Sequence, residues 1–578
     1  MILLIKKLSR CVREYKKPAI LSMVFIVLEV VMEVIIPLVM ALLIDKGINE
    51  SNPNVVWMCS LLLIVIASIS LLSGALSSKY SAVASCGFAK NVREDMYFKI
   101  QDFSFANIDK FSTSSLVTRL TTDISYIQGA FMMVIRIALR APLMLVFSLT
   151  GAFYINSKVA MIFLAVIPVL AFILFGIATI AHPLFKKVFE TYDELNTDVQ
   201  ENVRGIRVVK AYVKEEYEKK KFNKISKAIY NQFSKAEKVV AWNSPAMQLS
   251  MYTCTLIIAW LSSKMIVGNL MTTGELTSLL SYSGGILSSL MMLSMIYVMT
   301  IISATSAKRV CEVLDENSDI KNPENGIKKV KNGDIEFKDV SFSYTKNKDK
   351  LVLKNINLKI NSGDVIGIIG GTGSSKSSLV NLINRLYDVK DGEVLLGGIN
   401  VKEYDLKSLR DKVSVVLQKN VLFSGTIIEN MRWGKENASL DEIKNVCKLA
   451  CADEFIETLP GQYKYKLDQG GSNVSGGQKQ RLCIARALLK DPKVLILDDS
   501  TSAVDTKTDA TIRQNLKEFL PDVTKIIIAQ RIASIENATK VIVMDKGKVV
   551  AYDTPSNLLK TNKIYQEVYE SQKKGVKL

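Results

Sequence analysis

The chain has 578 residues, 49% of them apolar, and a formal net charge of +18. The length predicts more than one folding unit, and the apolar content, with a mean hydropathy of +0.20, is high for a soluble protein. The single histidine, His182, excludes a multi-histidine metal site, and the eight cysteines are scattered as expected for reduced, structural thiols.

The N-terminal segment is basic and amphipathic. In Leu3–Lys17, apolar residues mix with lysines and arginines at a spacing that suits a helix lying in the membrane interface. The apolar stretch that follows is longer than that of a signal peptide and has no small-residue cleavage pattern, so we expect it to be retained.

Six long apolar runs occupy the first half of the chain. Each is long enough for a helix to cross about 30 Å of hydrocarbon. The sequence therefore predicts an all-α membrane domain of six helices, with the interfacial helix, over residues 1–315. The runs lie near Pro18–Leu43, Val55–Leu76, Ala130–Ile155, Val159–Ile180, Met247–Val267 and Leu276–Ile302.

The basic residues predict the orientation of this bundle. They are concentrated in Lys79–Arg119 and Lys186–Lys238, whereas the loops Gly47–Asn54 and Asn156–Lys158 are short and poor in charge. By the positive-inside rule, both termini lie in the cytoplasm. We therefore attribute the charge to a multi-pass protein of the plasma (inner) membrane in contact with lipids, and predict no nucleic-acid partner.

The two basic stretches have helical patterns, so we expect the second to fifth spans to extend well below the membrane. A short transverse helix joins each pair of extensions, near Phe111–Leu116 and near Arg204–Tyr212. Such joints would be the mechanical contact with the domain beneath.

Two carboxylates lie inside the first span. Glu29 and Glu33 are four residues apart and share one helix face. Because intramembrane carboxylates usually face a bundle interior or a water-filled cavity, the pair could line a translocation cavity and attract cationic substrates. Alternatively, it pairs with Arg136 and Arg140 of the third span and holds the bundle together. The sequence leaves both interpretations open.

The second half of the chain has a different pattern. Residues 316–333 are polar, contain Pro323 and are typical of a linker. From Asp334 onward, short apolar strands alternate with helical patterns, which predicts an α/β domain over residues 334–578.

A glycine-rich turn follows the buried strand Val365–Gly370 and leads into a helix. Such a turn presents backbone N–H groups to phosphate oxygens, helped by the helix N-terminus. Lys376 would reach the β- and γ-phosphates of ATP, and Ser377 would reach a Mg²⁺ ion. The predicted ATP-binding set is Gly370, Gly371, Thr372, Gly373, Ser374, Ser375, Lys376, Ser377 and Ser378.

A second buried strand, Lys493–Leu497, ends in two acidic residues. An Asp at the end of a strand beside the phosphate loop is the expected Mg²⁺ partner, and Asp498 has that position. Just upstream lies the sequence Ser475-Gly476-Gly477-Gln478.

With these motifs in place, the chain resembles the ATP-binding cassette (ABC) exporter family over nearly its whole length. Ser475–Gln478 resembles the family signature, and Tyr344 resembles the aromatic residue that stacks on adenine. Gln418 resembles the glutamine that senses Mg²⁺, and Ser502–Asp505 resembles the loop that communicates across the dimer. The resemblance implies that two cassettes close head to tail on two ATP molecules. Each ATP would lie between one chain's phosphate loop and the other chain's signature.

Three residues depart from the family pattern. Asp499 stands where the family has the general base Glu, so its carboxylate is retracted by roughly 1.5 Å, and a displacement of about 1 Å can cost about 100-fold in rate. Gln530 stands where the family has a His near the γ-phosphate, and an amide cannot carry a proton. Ser375 replaces a glycine, and its side chain could loosen the phosphate cradle.

The intact signature and the altered site together predict an asymmetric transporter. This chain's own site, with Asp499, Gln530 and Gln418, would bind ATP but hydrolyse it weakly, while Ser475–Gln478 completes the site of a different partner. We therefore predict one subunit of a heterodimeric bacterial exporter of a small amphiphilic compound, drug, lipid or peptide. The alternatives are a slow homodimeric exporter, or an ATP-binding regulator that does not transport.

Overall fold

The computed structural model describes residues 7–344, 350–499 and 504–575. They form two compact units. The first comprises the chain up to Asp102 together with Phe111–Glu316, and the second comprises Phe103–Lys110 and the chain from Asn317 onward. The first unit is helical and the second is α/β, so the predicted fold class is confirmed.

Long helices dominate the first unit. Among the described residues, six segments are long and apolar enough to cross a membrane, which confirms the six predicted spans. The helices are α1 (Lys16–Leu42), α2 (Pro53–Gln101), α3 (Phe105–Lys110), α4 (Thr113–Thr118), α5 (Ile124–Ile155), α6 (Ser157–Arg204), α7 (Ile206–Ala211), α8 (Glu215–Val240), α9 (Asn243–Val267) and α10 (Thr273–Asp315). Of these, only α3 belongs to the second unit.

Side-chain caps keep the connections between spans short. Asn52 accepts a hydrogen bond from the N–H of Val55 at the start of α2, and Thr272 forms a capping box with Glu275 at the start of α10. Asn156 is the single residue between α5 and α6, and its side chain accepts from the second and third residues of α6. These caps satisfy N–H groups that a helix start leaves free.

The longest helices exceed the thickness of a membrane. Helix α2 has 49 residues and α6 has 48, which at about 1.5 Å per residue correspond to about 70 Å. This length agrees with extensions beyond the hydrocarbon layer. The short helix α7 follows α6 at the position predicted for the second transverse helix.

Two short helices lie in the region predicted for the first transverse helix. The predicted segment near Phe111–Leu116 overlaps α4, and α3 begins six residues upstream of Phe111 and belongs to the second unit. Ser104 and Asn107 exchange hydrogen bonds at its start, and Asn107 Nδ2 donates to the carbonyl oxygen of Asn317 at 3.1 Å. Ser112 caps the separate helix α4. Local hydrogen bonds therefore define the starts of two separate short helices in this region.

The N-terminal segment differs from the predicted interfacial helix Leu3–Lys17. Its first residues, 3–6, lie outside the described part, and the described part forms a 3-10 helix, Ser9–Tyr15. Cys11 is buried there, and Asn91 of α2 donates to its carbonyl oxygen at 3.0 Å. This segment is therefore packed on α2 by hydrogen bonds as well as by its apolar residues.

The described strands of the second unit form two main sheets. The strands are β1 (Ile335–Phe342), β2 (Leu353–Ile360), β3 (Val365–Gly370), β4 (Asp391–Leu396), β5 (Ile399–Asn400), β6 (Val413–Val416), β7 (Gly425–Thr426), β8 (Lys466–Leu467), β9 (Val494–Asp498), β10 (Thr524–Ile528), β11 (Lys540–Asp545) and β12 (Lys548–Asp553). One sheet is antiparallel, in the order β2-β1-β4-β5, and the other has the order β12-β11-β3-β10-β9-β6 and is parallel except for β12. A third, short pair joins β7 to β8.

The six-stranded sheet forms the centre of this unit. Strands β9 and β10 are buried along their whole length, as expected for parallel strands covered on both faces and rich in Val, Ile and Leu. The surrounding helices are α11 (Lys376–Asn381), α12 (Leu406–Lys412), α13 (Ile427–Arg432), α14 (Leu440–Leu449), α15 (Asp453–Ile456), α16 (Gly476–Leu488), α17 (Thr506–Phe519), α18 (Pro555–Thr561) and α19 (Lys563–Gly575).

Candidate nucleotide-binding site

The topology of the six-stranded sheet gathers the predicted site residues at one edge. Strand β10 lies between β3 and β9, and Ile528 is in register with Ile368 on one side and Asp498 on the other. Because these strands are parallel, their carboxyl ends meet, which is where α/β sheets bind ligands. The phosphate loop follows β3, Gln530 follows β10, Asp499 follows β9 and Gln418 follows β6.

The phosphate loop connects β3 to α11. Gly370 ends β3, Gly371–Ser375 form the turn and Lys376–Ser378 begin α11. A Cβ atom at Gly370 would meet the carbonyl oxygen of Met544, and Gly373 has φ +81°. Gly370 therefore has no room for a side chain, and the backbone conformation of Gly373 favours glycine.

Lys376 is held across this loop. Its Nζ donates to the carbonyl oxygens of Gly370 and Gly371 at 2.9 and 3.0 Å. Burial lowers the pKa of Lys376, and the carboxylates of Asp498 and Asp499 oppose that shift. The ammonium group therefore lies at the loop that presents N–H groups to phosphates.

Ser375 adopts a backbone conformation that favours glycine. Its φ is +75°, in the left-handed region, and its side chain makes no capping bond at the start of α11. A non-glycine residue in this region costs about 1–2 kcal/mol. The departure from the family pattern noted in the sequence therefore falls on a strained residue.

Ser377 and Asp498 form an oxygen-rich pair beside the loop. The Ser377 hydroxyl donates to the Asp498 carboxylate, and burial raises the pKa of Asp498. Hydroxyl and carboxylate oxygens are hard ligands of the kind Mg²⁺ prefers. Within the described part of the chain, no group of three or more His, Cys, Asp or Glu side chains could hold a metal ion. A Mg²⁺ ion here would therefore be held by this pair together with other oxygen donors, such as the Gln418 side-chain oxygen and nucleotide phosphates.

Asp499 lies between two amide side chains. Gln530 Nε2 donates to its Oδ2 at 2.7 Å, and the Gln418 side chain also donates to the carboxylate. Burial raises the pKa of Asp499, and the bonds from the two amides oppose the shift. The backbone has φ +47°, and its N–H donates to the carbonyl oxygen of Ile528 at 3.1 Å. The structure thus brings together the three residues that the sequence assigned to the hydrolytic step.

Tyr344 lies beside the phosphate loop. Its hydroxyl is 2.8 Å from the Ser378 hydroxyl, and its ring packs edge-on against Phe342 and Tyr387. The residue is 45% exposed, which leaves part of the ring accessible. Sequence reasoning missed Tyr387, because no motif marks it and its neighbours in space are distant in the chain.

The signature sequence forms the exposed start of α16. Ser475 Oγ accepts from the N–H of Gln478, and Gln478 Oε1 accepts from the N–H of Ser475, at 3.3 and 2.9 Å. Gly476 and Gly477 form the first turn. Of the predicted communication loop Ser502–Asp505, the first two residues lie outside the described part, and Asp505 caps α17.

The carboxylates of the first span both contact one arginine of the third. Arg140 Nη2 donates to the two oxygens of Glu33 at 2.7 and 2.8 Å, and its Nη1 donates to Glu29 Oε1. Glu29 is 7% exposed, and a Cβ atom at Gly74 would lie 3.1–3.2 Å from its carboxylate. The absence of a side chain at Gly74 therefore gives Glu29 room between α1, α2 and α5.

The phosphate loop, the strand-end Asp498 and the helix-capping SGGQ sequence, joined to six membrane spans, define an ATP-binding cassette transporter. The family model "ABC transporter transmembrane region" matches residues 19–307, and the model "ABC transporter" matches residues 353–502. The chain belongs to the ABC transporter family and is a multi-pass membrane transport ATPase with an ATP-binding cassette.

The chain is similar to known proteins over nearly its whole length. It is 35% identical to the uncharacterized ABC transporter ATP-binding protein YfiB of Bacillus subtilis (strain 168), over 97% of each chain. It is 30% identical to the ATP-dependent lipid A-core flippase of Desulfotalea psychrophila, over 98% of this chain and 99% of that protein. The structure of a bacterial Atm1-family ABC exporter with ATP bound has the same fold, with a TM-score of 0.84 at 20% identity, covering 97% of this chain and 98% of that one.

Proposed function

We propose that this chain is one half of an ATP-driven exporter, and that its own ATP site binds nucleotide but hydrolyses it slowly. The observation that carries the proposal is the contact of Asp499 with Gln530 and Gln418. An amide cannot accept a proton, so neither neighbour can relay the proton of an attacking water. The short carboxylate, retracted by roughly 1.5 Å relative to Glu, weakens the same step.

The remaining residues of the site support binding. Lys376 would neutralise phosphate oxygens at the loop, and the accessible face of Tyr344 would stack on adenine. Ser377, Asp498 and the side-chain oxygen of Gln418 would hold Mg²⁺, which supplies charge neutralisation on the phosphates when it is bound. This chain's own residues thus orient ATP without a strong base beside it.

The signature supports a role in a second site on a partner chain. Ser475–Gln478 form an exposed helix start whose N–H groups and small residues suit an approaching phosphate. We infer that the partner is a different half-transporter with the Glu and His that this chain lacks. The domains would be a membrane domain over residues 1–315, a linker over 316–333 and a cassette over 334–578.

We place the transporter in the plasma (inner) membrane with the termini and the cassette in the cytoplasm, because the basic stretches flank the spans on that side.

The substrate class is a small amphiphilic compound, drug, lipid or peptide. The relative that flips lipid A-core favours a lipid-like compound. The pairing of Glu29 and Glu33 with Arg140 favours a structural role for these carboxylates over attraction of cations.

The test is the intact mass of the complex purified through this chain from its native membrane. A second, different half-transporter is the expected result. Two copies of this chain would overturn the heterodimer and require Asp499 to act as a slow base. ATP-dependent transport into inverted vesicles distinguishes an exporter from a regulator that only binds ATP.

A further inference from the structure

Helix α19 carries a glutamine towards the nucleotide site. Tyr565 is 2% exposed, and Val568 packs against the core of the cassette. Gln572 lies seven residues after Tyr565 and four after Val568, so the three side chains share one helix face. The apolar anchors of α19 therefore direct Gln572 towards the body of the domain.

The amide of Gln572 spans the backbone that carries Gln530. Its Nε2 donates to the carbonyl oxygen of Gln530 at 2.7 Å, and its Oε1 accepts from the N–H of Ile532 at 2.8 Å. One side chain thus pairs with both sides of Arg531, as a neighbouring strand would. This bidentate contact restricts rotation of the intervening peptide groups.

Other contacts fix the far end of the same segment. Arg513 Nη1 donates to the carbonyl oxygen of Ala533 at 2.8 Å, and Ser534 Oγ donates to Asp509 Oδ2 at 3.1 Å. Both partners lie on α17. The segment from Gln530 to Ser534 is therefore held by α17 at its end and by α19 at its start, next to the nucleotide site.

We propose that Gln572 is a positioning residue that couples the C-terminal helix to the nucleotide site. It sets the backbone of Gln530, whose side chain donates to Asp499 at 2.7 Å. Loss of the Gln572 amide frees the Gln530 peptide, and the amide of Gln530 then no longer holds the Asp499 carboxylate in one position. The link to ATP rests on the proposed function, whereas the link to the Gln530 backbone does not.

Hydrogen exchange of the intact transporter tests the backbone link directly. We expect the peptide that contains Gln530–Ser534 to exchange about 5- to 30-fold faster in the Gln572→Ala variant, the factor for a loss of about one or two net hydrogen bonds. The matched control is Gln566→Ala, since Gln566 lies on the same helix and its Nε2 donates instead to the carbonyl oxygen of Leu559, at 2.8 Å. Unchanged exchange in Gln572→Ala, or equal acceleration in the control, would overturn the proposal.

A double-mutant cycle tests the route through Gln530. The readout is photolabelling of this chain by 8-azido-ATP, after separation of the subunits. We expect Gln572→Ala and Gln530→Ala each to weaken labelling by about fivefold, and the double variant to be no weaker than Gln530→Ala alone. If the losses of labelling in the two single variants added up in the double variant, Gln572 would act on ATP binding by a route other than Gln530. If the unchanged chain takes no label, the proposed ATP site fails, while hydrogen exchange still decides the role of Gln572.

Discussion

The hydroxyl of Tyr387 donates a hydrogen bond to Asp109 of α3 at 2.7 Å. The ring of Tyr387 also contacts Tyr344, with ring centroids 5.1 Å apart, and the ring of Phe105 on α3 at 6.0 Å. Burial, with Asp109 as acceptor, raises the pKa of Tyr387, so it remains a neutral donor. The short helix α3 is thus bonded to the aromatic cluster beside the phosphate loop.

Replacement of Tyr387 by Phe should reduce coupling between ATP use and transport. The ring contacts remain, but the hydrogen bond to the Asp109 carboxylate is lost, at a cost of about 1.5–3 kcal/mol for a bond to a charged group. We expect the number of molecules transported per ATP hydrolysed to fall severalfold in proteoliposomes, with ATP binding within twofold of normal. Tyr552→Phe is the control, because that hydroxyl donates to the backbone carbonyl oxygen of Lys359 at 3.0 Å. An unchanged transport ratio would contradict the prediction.

Restoring the family residues should activate this chain's own site. The double variant Asp499→Glu, Gln530→His adds the missing methylene and a proton-carrying side chain. In a complex whose partner site is inactivated, we expect ATP hydrolysis to rise by up to about 100-fold. Asp499→Asn, which carries no base, should give no increase. Hydrolysis that stays at the original rate in the double variant would mean that these residues do not limit the site.

Substitution of Ser375 by Gly should relieve backbone strain in the phosphate loop. At φ +75° the serine costs about 1–2 kcal/mol, partly offset by the greater freedom of glycine in the unfolded chain. We expect an increase in the melting temperature of about 1–3 °C and tighter ATP binding. Ser472, at φ −69°, is the matched control, where glycine should lower the melting temperature. A lower melting temperature in Ser375→Gly would contradict the prediction that the Ser375 backbone is strained.

Removal of Arg140 should destabilise the membrane unit. It would leave Glu29 and Glu33 unpaired, and breaking a buried ion pair from one side costs about 3–5 kcal/mol. We expect Arg140→Gln to abolish the monodisperse peak in size-exclusion chromatography, and the triple variant with Glu29→Gln and Glu33→Gln to recover it. A stable, transport-altered Arg140→Gln protein would instead place the carboxylates in a cavity.

Lys525 should make the stability of the cassette depend on pH. It is 3% exposed, its Nζ donates to the carbonyl oxygen of Val523 at 2.9 Å, and burial lowers its pKa from 10.5 to about 8. Between these values the unfolded chain binds more protons than the folded one, so stability rises with pH.

The measurement for Lys525 is the melting temperature of the wild type minus that of Lys525→Met, from pH 7 to pH 10. We expect this difference to grow in favour of the wild type as pH rises through about 8. The corresponding change in the free energy of unfolding is on the order of 1–3 kcal/mol. The subtraction removes the contribution of other titrating groups. A difference that is constant with pH would show that Lys525 keeps its proton.

Short-range patterns in the sequence were sufficient to predict much of the structure of this protein. The six spans follow from runs of apolar residues, and the phosphate loop and the SGGQ cap follow from residues within one turn of each other, whose hydrogen bonds are local. The departures at Asp499 and Gln530 were also visible, because each occupies a fixed place in a motif. The identity of these parts needs no knowledge of distant contacts.

Tertiary structure alone decided which distant side chains meet. The sequence left Glu29 open between a cavity and an arginine, and only the packing of α1 on α5 selected Arg140 as the contact. The contact of Gln572 with Gln530 joins residues 42 positions apart, and Asn107 of α3 donates to Asn317, 210 positions away. Such partners are selected by how helices and strands pack, since a side chain's own neighbours in sequence carry no information on which remote group it reaches.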